Sequence, residues 1–197
     1  MNLSTRMIIV LTLVGLVSGG LLTGVGMITR DRIAYNKQKE IEEAILMVVP
    51  GSEKSRKRFE ERELTVYSGE SREGQLAGYA VYTSGTGFQD KITLMYGVDP
   101  ALTRIHSLKI LEQQETPGLG ANITDRESFL RYWDDKDISS RLTLRKPAVI
   151  SPEELLPSEI NTITGATISS EAVLSVVNQS LQRIKQLESE GKLTTGD

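Results

Sequence analysis

The chain contains no cysteine and a single histidine, His106. The first absence excludes thiolate ligation of an iron–sulfur cluster, a cysteine-linked haem, a cysteine nucleophile and disulfides. The second excludes a histidine-rich metal site, and no metal ligand set is expected. Charge of one sign is also scarce. Lys and Arg number 23 against 26 Asp and Glu, a net charge of -3, which offers no electrostatic footprint for nucleic acid. Internal repeats and low-complexity tracts are missing from the sequence as well. At 197 residues, 39% of them apolar, the chain has room for one folded domain and an appended segment.

That segment is N-terminal. Met7 to Ile28 runs 22 residues without a charge, a helix of about 33 Å against a bilayer core of about 30 Å. Arg6 and the small residues Ser18-Gly19-Gly20 also fit a cleaved signal peptide. Signal cores run roughly 7–15 residues, however, whereas apolar character here continues through Leu21, Leu22, Val25 and Ile28, so a retained span is the preferred reading. Gly15/Gly19 and Gly20/Gly24 are each four apart; this spacing admits a close partner helix, and ordinary span composition also produces it. With no ionisable side chain, the span is a poor ion pathway. Arg6 and the amino terminus precede it and Arg30, Arg32, Lys37 and Lys39 follow it, so flanking charge orients it poorly.

Beyond the span, Asp31–Val49 reads as a helix with Ile33, Ile41, Ala44, Ile45 and Val48 on one face, stopped by Pro50-Gly51. The charge run Glu53–Glu63 reads as a solvated connection. Leu64–Tyr67, Leu76–Thr83, Lys91–Val98 and Arg104–Glu112 carry β-branched and aromatic residues between Gly- or Pro-containing breaks, the pattern of an antiparallel meander. Thr124-Asp125-Arg126-Glu127 has capping-box spacing before Phe129, Leu130 and Trp133, and Arg145–Ile150 is a further candidate strand. The last helix, about Ser170 to Glu188, repeats Val173, Val176/Val177, Leu181, Ile184 and Leu187 on one face and ends near Gly191. Asp31, Asp125 and Glu171 near helix starts suit the helix dipole. His106 reads as an ordinary strand residue and Trp133 as a packing aromatic. The expected fold class is α+β: one anchor, residues 1–29; a helix and charged connection, residues 30–63; and one sandwich-like domain with a mainly antiparallel sheet, residues 64–197.

Three short motifs stand out. In Thr164-Gly165-Ala166-Thr167 a hydroxyl is flanked by small residues just before a helix, where a phosphate group is electrostatically welcome. This suits a phosphorylated cofactor, although an isolated Thr there is equally a helix N-cap or an exposed hydroxyl. In Glu115-Thr116-Pro117-Gly118-Leu119-Gly120, Pro followed by Gly fits the centre of a type II turn, and Gly120 adds a place for close approach. On bare physics it is a tight turn first and a binding loop second. Gly85-Thr86-Gly87-Phe88 is likewise a hairpin turn first and a ligand wall second.

In this order, behind an N-terminal span, the motifs resemble the FMN-binding G subunit of the Rnf electron-transport complex, over nearly the whole chain. The resemblance implies FMN covalently attached through its phosphate to the hydroxyl of Thr167. It also implies a flavin site built from Thr164, Gly165 and Ala166 together with Glu115, Thr116, Gly118, Leu119 and Gly120. Members of that family often carry His shortly before the Glu-Thr-Pro run; this chain has Gln113-Gln114, so no histidine role carries over. A phosphodiester would retain FMN outside the cytoplasm without strong non-covalent affinity. The flavin exchanges one or two electrons, so no protein nucleophile or general base is required and no catalytic residue is assigned.

The resemblance further implies a redox subunit, not catalytic alone, relaying electrons between ferredoxin and NAD in a membrane complex coupled to ion translocation. Its partners would be the other membrane subunits and a maturing flavin transferase. The C subunit of the sodium-translocating NADH:quinone oxidoreductase shares the flavin motif and is the related alternative; an anchored binding or assembly module without redox chemistry is the other. The expected topology is a single pass of the cytoplasmic membrane with the amino terminus inside and Asp31 to Asp197 outside.

Overall fold

The computed structural model describes residues 2–193; Met1 and positions 194–197, the end of the expected domain, lie outside the described residues. Two compact units meet at Glu42/Glu43. Helix α1, Leu3–Val48, is continuous, so the apolar span and the Asp31–Val49 segment are one element. Asp31 consequently sits in mid-helix and not at a helix start, which removes its dipole role. In the first unit an 18-residue window of mean hydropathy 2.3 has none of its residues buried. By length and composition this helix is able to cross a membrane. Thr23 Oγ1 donates to the Gly19 carbonyl at 2.8 Å, so its hydroxyl is satisfied within the helix.

In the second unit six strands follow one another as an antiparallel meander in sequence order: β1 Lys54–Glu61, β2 Leu64–Glu70, β3 Leu76–Thr86, β4 Lys91–Val98, β5 Arg104–Glu112 and β6 Lys136–Asp137. The β4 and β5 bounds coincide with those read from the sequence. The charged stretch expected as a solvated connection is largely exposed, but it is an edge strand whose backbone pairs with β2. Arg58 donates to Ser68 Oγ at 2.9 Å and to Glu70 Oε1 at 3.2 Å on β2. A second, two-stranded parallel sheet pairs β7, Thr143–Arg145, with β8, Glu159–Asn161. The strand expected over Arg145–Ile150 therefore ends where that expectation began. Val149 is held instead by the Asn161 side chain, which accepts from its N–H at 2.9 Å and donates to its carbonyl at 2.8 Å.

Register sets the two faces of the large sheet. Val66, Val81, Tyr96 and Leu108 lie opposite one another across β2 to β5. They belong to the buried core shared with Val173, Val177, Leu181 and Ile184 of α2, Thr167–Ser189. The Tyr96 hydroxyl and Ser180 Oγ share a buried 2.8 Å hydrogen bond that ties β4 to α2, and burial pushes the Tyr96 phenol pKa up. The adjacent row, Tyr67, Ala80, Gly97 and Ser107, points the other way. There a side chain on Gly97 would run into the Val48 carbonyl at the end of α1. Helix α2 closes with a Schellman arrangement: Gly191, φ +72, donates to Glu188 and Lys192 to Leu187.

Between β5 and β6 the expected helix is replaced by two 3-10 turns, Gly120–Thr124 and Leu130–Trp133. Thr124 does not cap, since its hydroxyl donates to Ala121 O at 2.9 Å. Asp125, one residue later, accepts from Ser128 N at 2.8 Å and Ser128 Oγ at 2.6 Å and so closes the turn between the two 3-10 segments. These bonds from Ser128 hold the Asp125 carboxyl below the usual carboxylate range. Trp133 is fully buried, its ring edge-on to Phe129 with centroids 5.8 Å apart.

Candidate functional site

Two turns of one design frame the site. In Thr116-Pro117-Gly118-Leu119 the Leu119 N–H donates to the Thr116 carbonyl at 3.1 Å, and Gly118 has φ +74. In Ile163-Thr164-Gly165-Ala166 the Ala166 N–H donates to the Ile163 carbonyl at 3.0 Å, and Gly165 has φ +82. A glycine at the third position with positive φ and this closing bond is the type II pattern. The turns are adjacent in space: a Cβ added to Gly165 would lie 3.3 Å from Leu119 Cδ2.

Glu115 joins them to the third motif. Its carboxylate is buried, 4% exposed. Oε1 accepts from the backbone N–H of Phe88 at 2.8 Å and of Gln89 at 3.1 Å, both in the β3–β4 hairpin loop. Oε2 accepts from Ser169 Oγ on α2 at 2.6 Å. Hydrogen bonds to an ionised acceptor are about twice as strong as neutral ones, so this one side chain fixes three segments. Gly87 and Gly120 leave room for it, since a Cβ at either position would collide with the carboxylate. Gln89 Nε2 adds a bond to Thr116 Oγ1 at 3.2 Å, and the Gln113 side-chain oxygen accepts from Glu115 N at 2.6 Å.

Helix α2 begins earlier than its sequence pattern suggests. Thr167 is its first residue, and Ala166 is the N-cap without a side-chain cap bond. The Thr167 hydroxyl, half-buried, makes no hydrogen bond among the described residues. Two residues on, the helix turns polar side chains inward. Ser169 bonds Glu115, whereas fully buried Ser170 accepts from Ile163 N at 3.1 Å and donates to the Ala166 carbonyl at 3.1 Å. Ser170 thus locks the turn that presents Thr164 and Gly165. One helical turn beyond Thr167, Glu171 pairs with Lys146.

The site residues read from sequence therefore fall into two groups. Thr164, Gly165, Gly118 and Leu119 are exposed on the two turns, with Thr116 and Thr167 half-buried beside them. Glu115, Gly120 and Ala166 are buried and build the support beneath. Sequence reasoning missed Gln89, Ser169 and Ser170; the signal was available in two consecutive serines at the start of an otherwise apolar helix face. The residues present fit a phosphorylated flavin. An unpartnered hydroxyl stands at a helix start where phosphate is favoured. Apolar side chains suited to a flat ring, Phe88, Leu119 and Ile168, are each about half exposed or more on the three joined segments.

The segment that carries the site is similar to known proteins. Residues 87–182 match the family model of the FMN-binding domain. The G subunit of the Na(+)-translocating ferredoxin:NAD(+) oxidoreductase complex of Acetobacterium woodii is 34% identical over 125 residues, 63% of this chain and 56% of that protein. The chain covers 59% of another relative, the G subunit of an ion-translocating oxidoreductase complex from Methanosarcina acetivorans, and so spans less than two-thirds of the length of both. The corresponding G subunit from Pasteurella multocida is 29% identical over 196 residues, covering 91% of this chain and 92% of that one. Among solved structures, NqrC of Shewanella oneidensis superposes with a TM-score of 0.53 at 22% identity, over 67% of this chain and 65% of that one, which speaks to fold alone. Residues 87–182 thus match the FMN-binding domain model, and the chain is similar to the G subunits of ion-translocating oxidoreductase complexes.

Proposed function

We propose that this chain is a covalent-FMN electron carrier of a membrane-bound Rnf-type complex, relaying electrons between ferredoxin and NAD in a process coupled to ion translocation by partner subunits. The observation that carries the reading is the free hydroxyl of Thr167 beside two type II turns that Glu115 and the serine pair hold together. Thr167 is the attachment point through a phosphodiester. Thr164, Gly165, Thr116, Gly118 and Leu119 form the surface around it, and Glu115, Gly120 and Ala166 support that surface from below. FMN supplies one- and two-electron exchange when bound. This chain's own residues fix its phosphate end, offer apolar side chains beside it and tether the unit to the membrane through α1. The chain has no cysteine for an iron–sulfur ligand set, which is consistent with a single flavin relay.

The test is intact mass after denaturation, on full-length protein co-expressed with a flavin transferase. The parent protein carries the FMN mass increment, Thr167→Ala is folded and lacks it, and Thr164→Ala retains the acceptor atom with reduced occupancy. Retention in Thr167→Ala rejects the attachment site, and a colourless, unmodified parent rejects the covalent-carrier reading.

A further inference from the structure

The Lys146–Glu171 ion pair belongs to none of the three short motifs, yet it lies beside the proposed attachment point. Thr167 and Glu171 are four residues apart on α2, and side chains at that spacing are surface neighbours, with Cβ atoms about 5–6 Å apart. Lys146 reaches this patch from the segment after β7, and its Nζ bonds Glu171 Oε1. Both side chains are half exposed, so the pair contributes little to stability and the ammonium is free to turn toward a neighbour. A phosphodiester on Thr167 would place a permanent negative charge one helical turn from the Glu171 carboxylate. Without a cation between them the two would repel.

We propose that Lys146 is a binding residue for the phosphate group carried on Thr167, held in reserve by Glu171 and shared with the phosphate once it is present. This rests on the attachment proposed above. Lys146 acts as a counter-charge and takes no part in bond making. The two partners of the ion pair then have opposite effects: loss of Lys146 disfavours the modified state, whereas loss of Glu171 releases the lysine and removes a repelling charge. A pair serving only to brace the fold would respond alike to loss of either member.

Two measurements on the full-length protein separate the outcomes. In the first, flavin attachment is followed by intact mass during timed incubation with transferase and flavin donor. Lys146→Gln labels about two- to fivefold more slowly than the parent, Lys146→Arg restores the parent rate, and Glu171→Gln labels at least as fast as the parent. Equal slowing by Lys146→Gln and Glu171→Gln, or a parent rate in Lys146→Gln, overturns the proposal. The second needs no flavin. Thr167→Glu places a carboxylate at the position of the phosphate, and Lys146→Gln lowers the Tm of that variant by about 1–3 °C more than it lowers that of the parent. An additive cycle shows that Lys146 does not reach position 167 and rejects the inference even where covalent attachment is intact. A coupled cycle together with an unmodified parent rejects the attachment reading and leaves Lys146 as an anion-binding group at this position.

Discussion

Glu115 and Ser169, 54 residues apart in sequence, share a 2.6 Å hydrogen bond in the interior of the domain. It joins the loop after β5 to the first turn of α2, and the same carboxylate holds the β3–β4 hairpin by the amides of Phe88 and Gln89. Most of what the site needs from the fold passes through this one side chain.

Glu115→Ala strands two backbone donors and a hydroxyl, so it destabilises by at least about 1–3 kcal/mol. Hydrogen exchange should show Phe88 and Gln89 amides losing protection before the core of β4 does. Ser169→Ala combined with Glu115→Ala should cost less than the sum of the two single changes, because they remove the same bond. Strict additivity in denaturant unfolding would refute the tie.

Gly118 and Gly120 are both required, for different reasons. Gly118 has φ +74 and open space around it. Its replacement costs backbone strain alone, about 1–2 kcal/mol for Ala and more for the β-branched Val. A Cβ on Gly120 would come within 2.5 Å of Ser169 Oγ and 2.7 Å of Glu115 Oε2, so Gly120→Ala displaces the tie itself. The discriminating measurement is Gly→Asn at each position. Asn tolerates positive φ, so it is mild at position 118 and severe at position 120; equal unfolding midpoints would contradict this assignment.

Much of the domain was legible because its punctuation is local. Lys91–Val98 and Arg104–Glu112 are rich in β-branched and aromatic residues and are separated by the Asp99-Pro100 break, which was enough to give their bounds. The Pro117-Gly118 turn was equally readable from its residue pair, whereas the turn at Thr164-Gly165, read as a hydroxyl motif before a helix, emerged only from the Ala166–Ile163 bond and the positive φ of Gly165. Strand β1 was not readable, because its charges look solvated until Ser68 and Glu70 are known to lie across from Arg58. Thr124 was read as a cap from its spacing alone, but its hydroxyl turns back to Ala121, and Asp125, read only as a dipole residue, holds the turn through Ser128. The start of α2 was misplaced by three residues because neither Gly165 nor Ala166 announces a helix by composition. Convergence at Glu115 was out of reach of any local pattern: it depends on which loops a sheet of this register brings to one end.

Asp99 closes the β4–β5 turn, accepting from Thr103 N, Thr103 Oγ1 and Arg104 N, each at 2.7 Å. Partial burial pushes its pKa up, but the hydrogen bonds from Arg104 and Thr103 outweigh this and leave it below the ordinary carboxylate value. A depressed folded-state pKa means that the unfolded chain binds more protons on the acid side. The stabilisation is present above the unfolded value of about 3.9 and is lost as pH falls through the lower folded value. Asp99→Asn should therefore lower Tm at pH 7 and flatten the decline of Tm on acidification. Parallel pH profiles for parent and variant would remove Asp99 as a source of acid sensitivity.

The membrane arrangement follows from α1. An 18-residue window of mean hydropathy 2.3 with none of its residues buried has to be covered by lipid or partner helices, since so large an apolar surface is not left in water. The covalent attachment proposed above favours the extracytoplasmic side for the folded unit, where a lost cofactor molecule is not replaced. On that proposal, protease added to intact spheroplasts should digest the unit beyond Glu43 and spare a cytoplasmic control protein, while carbonate washing should leave the chain in the membrane fraction. Full protection from the protease would reverse the orientation, and release by carbonate would remove the anchor.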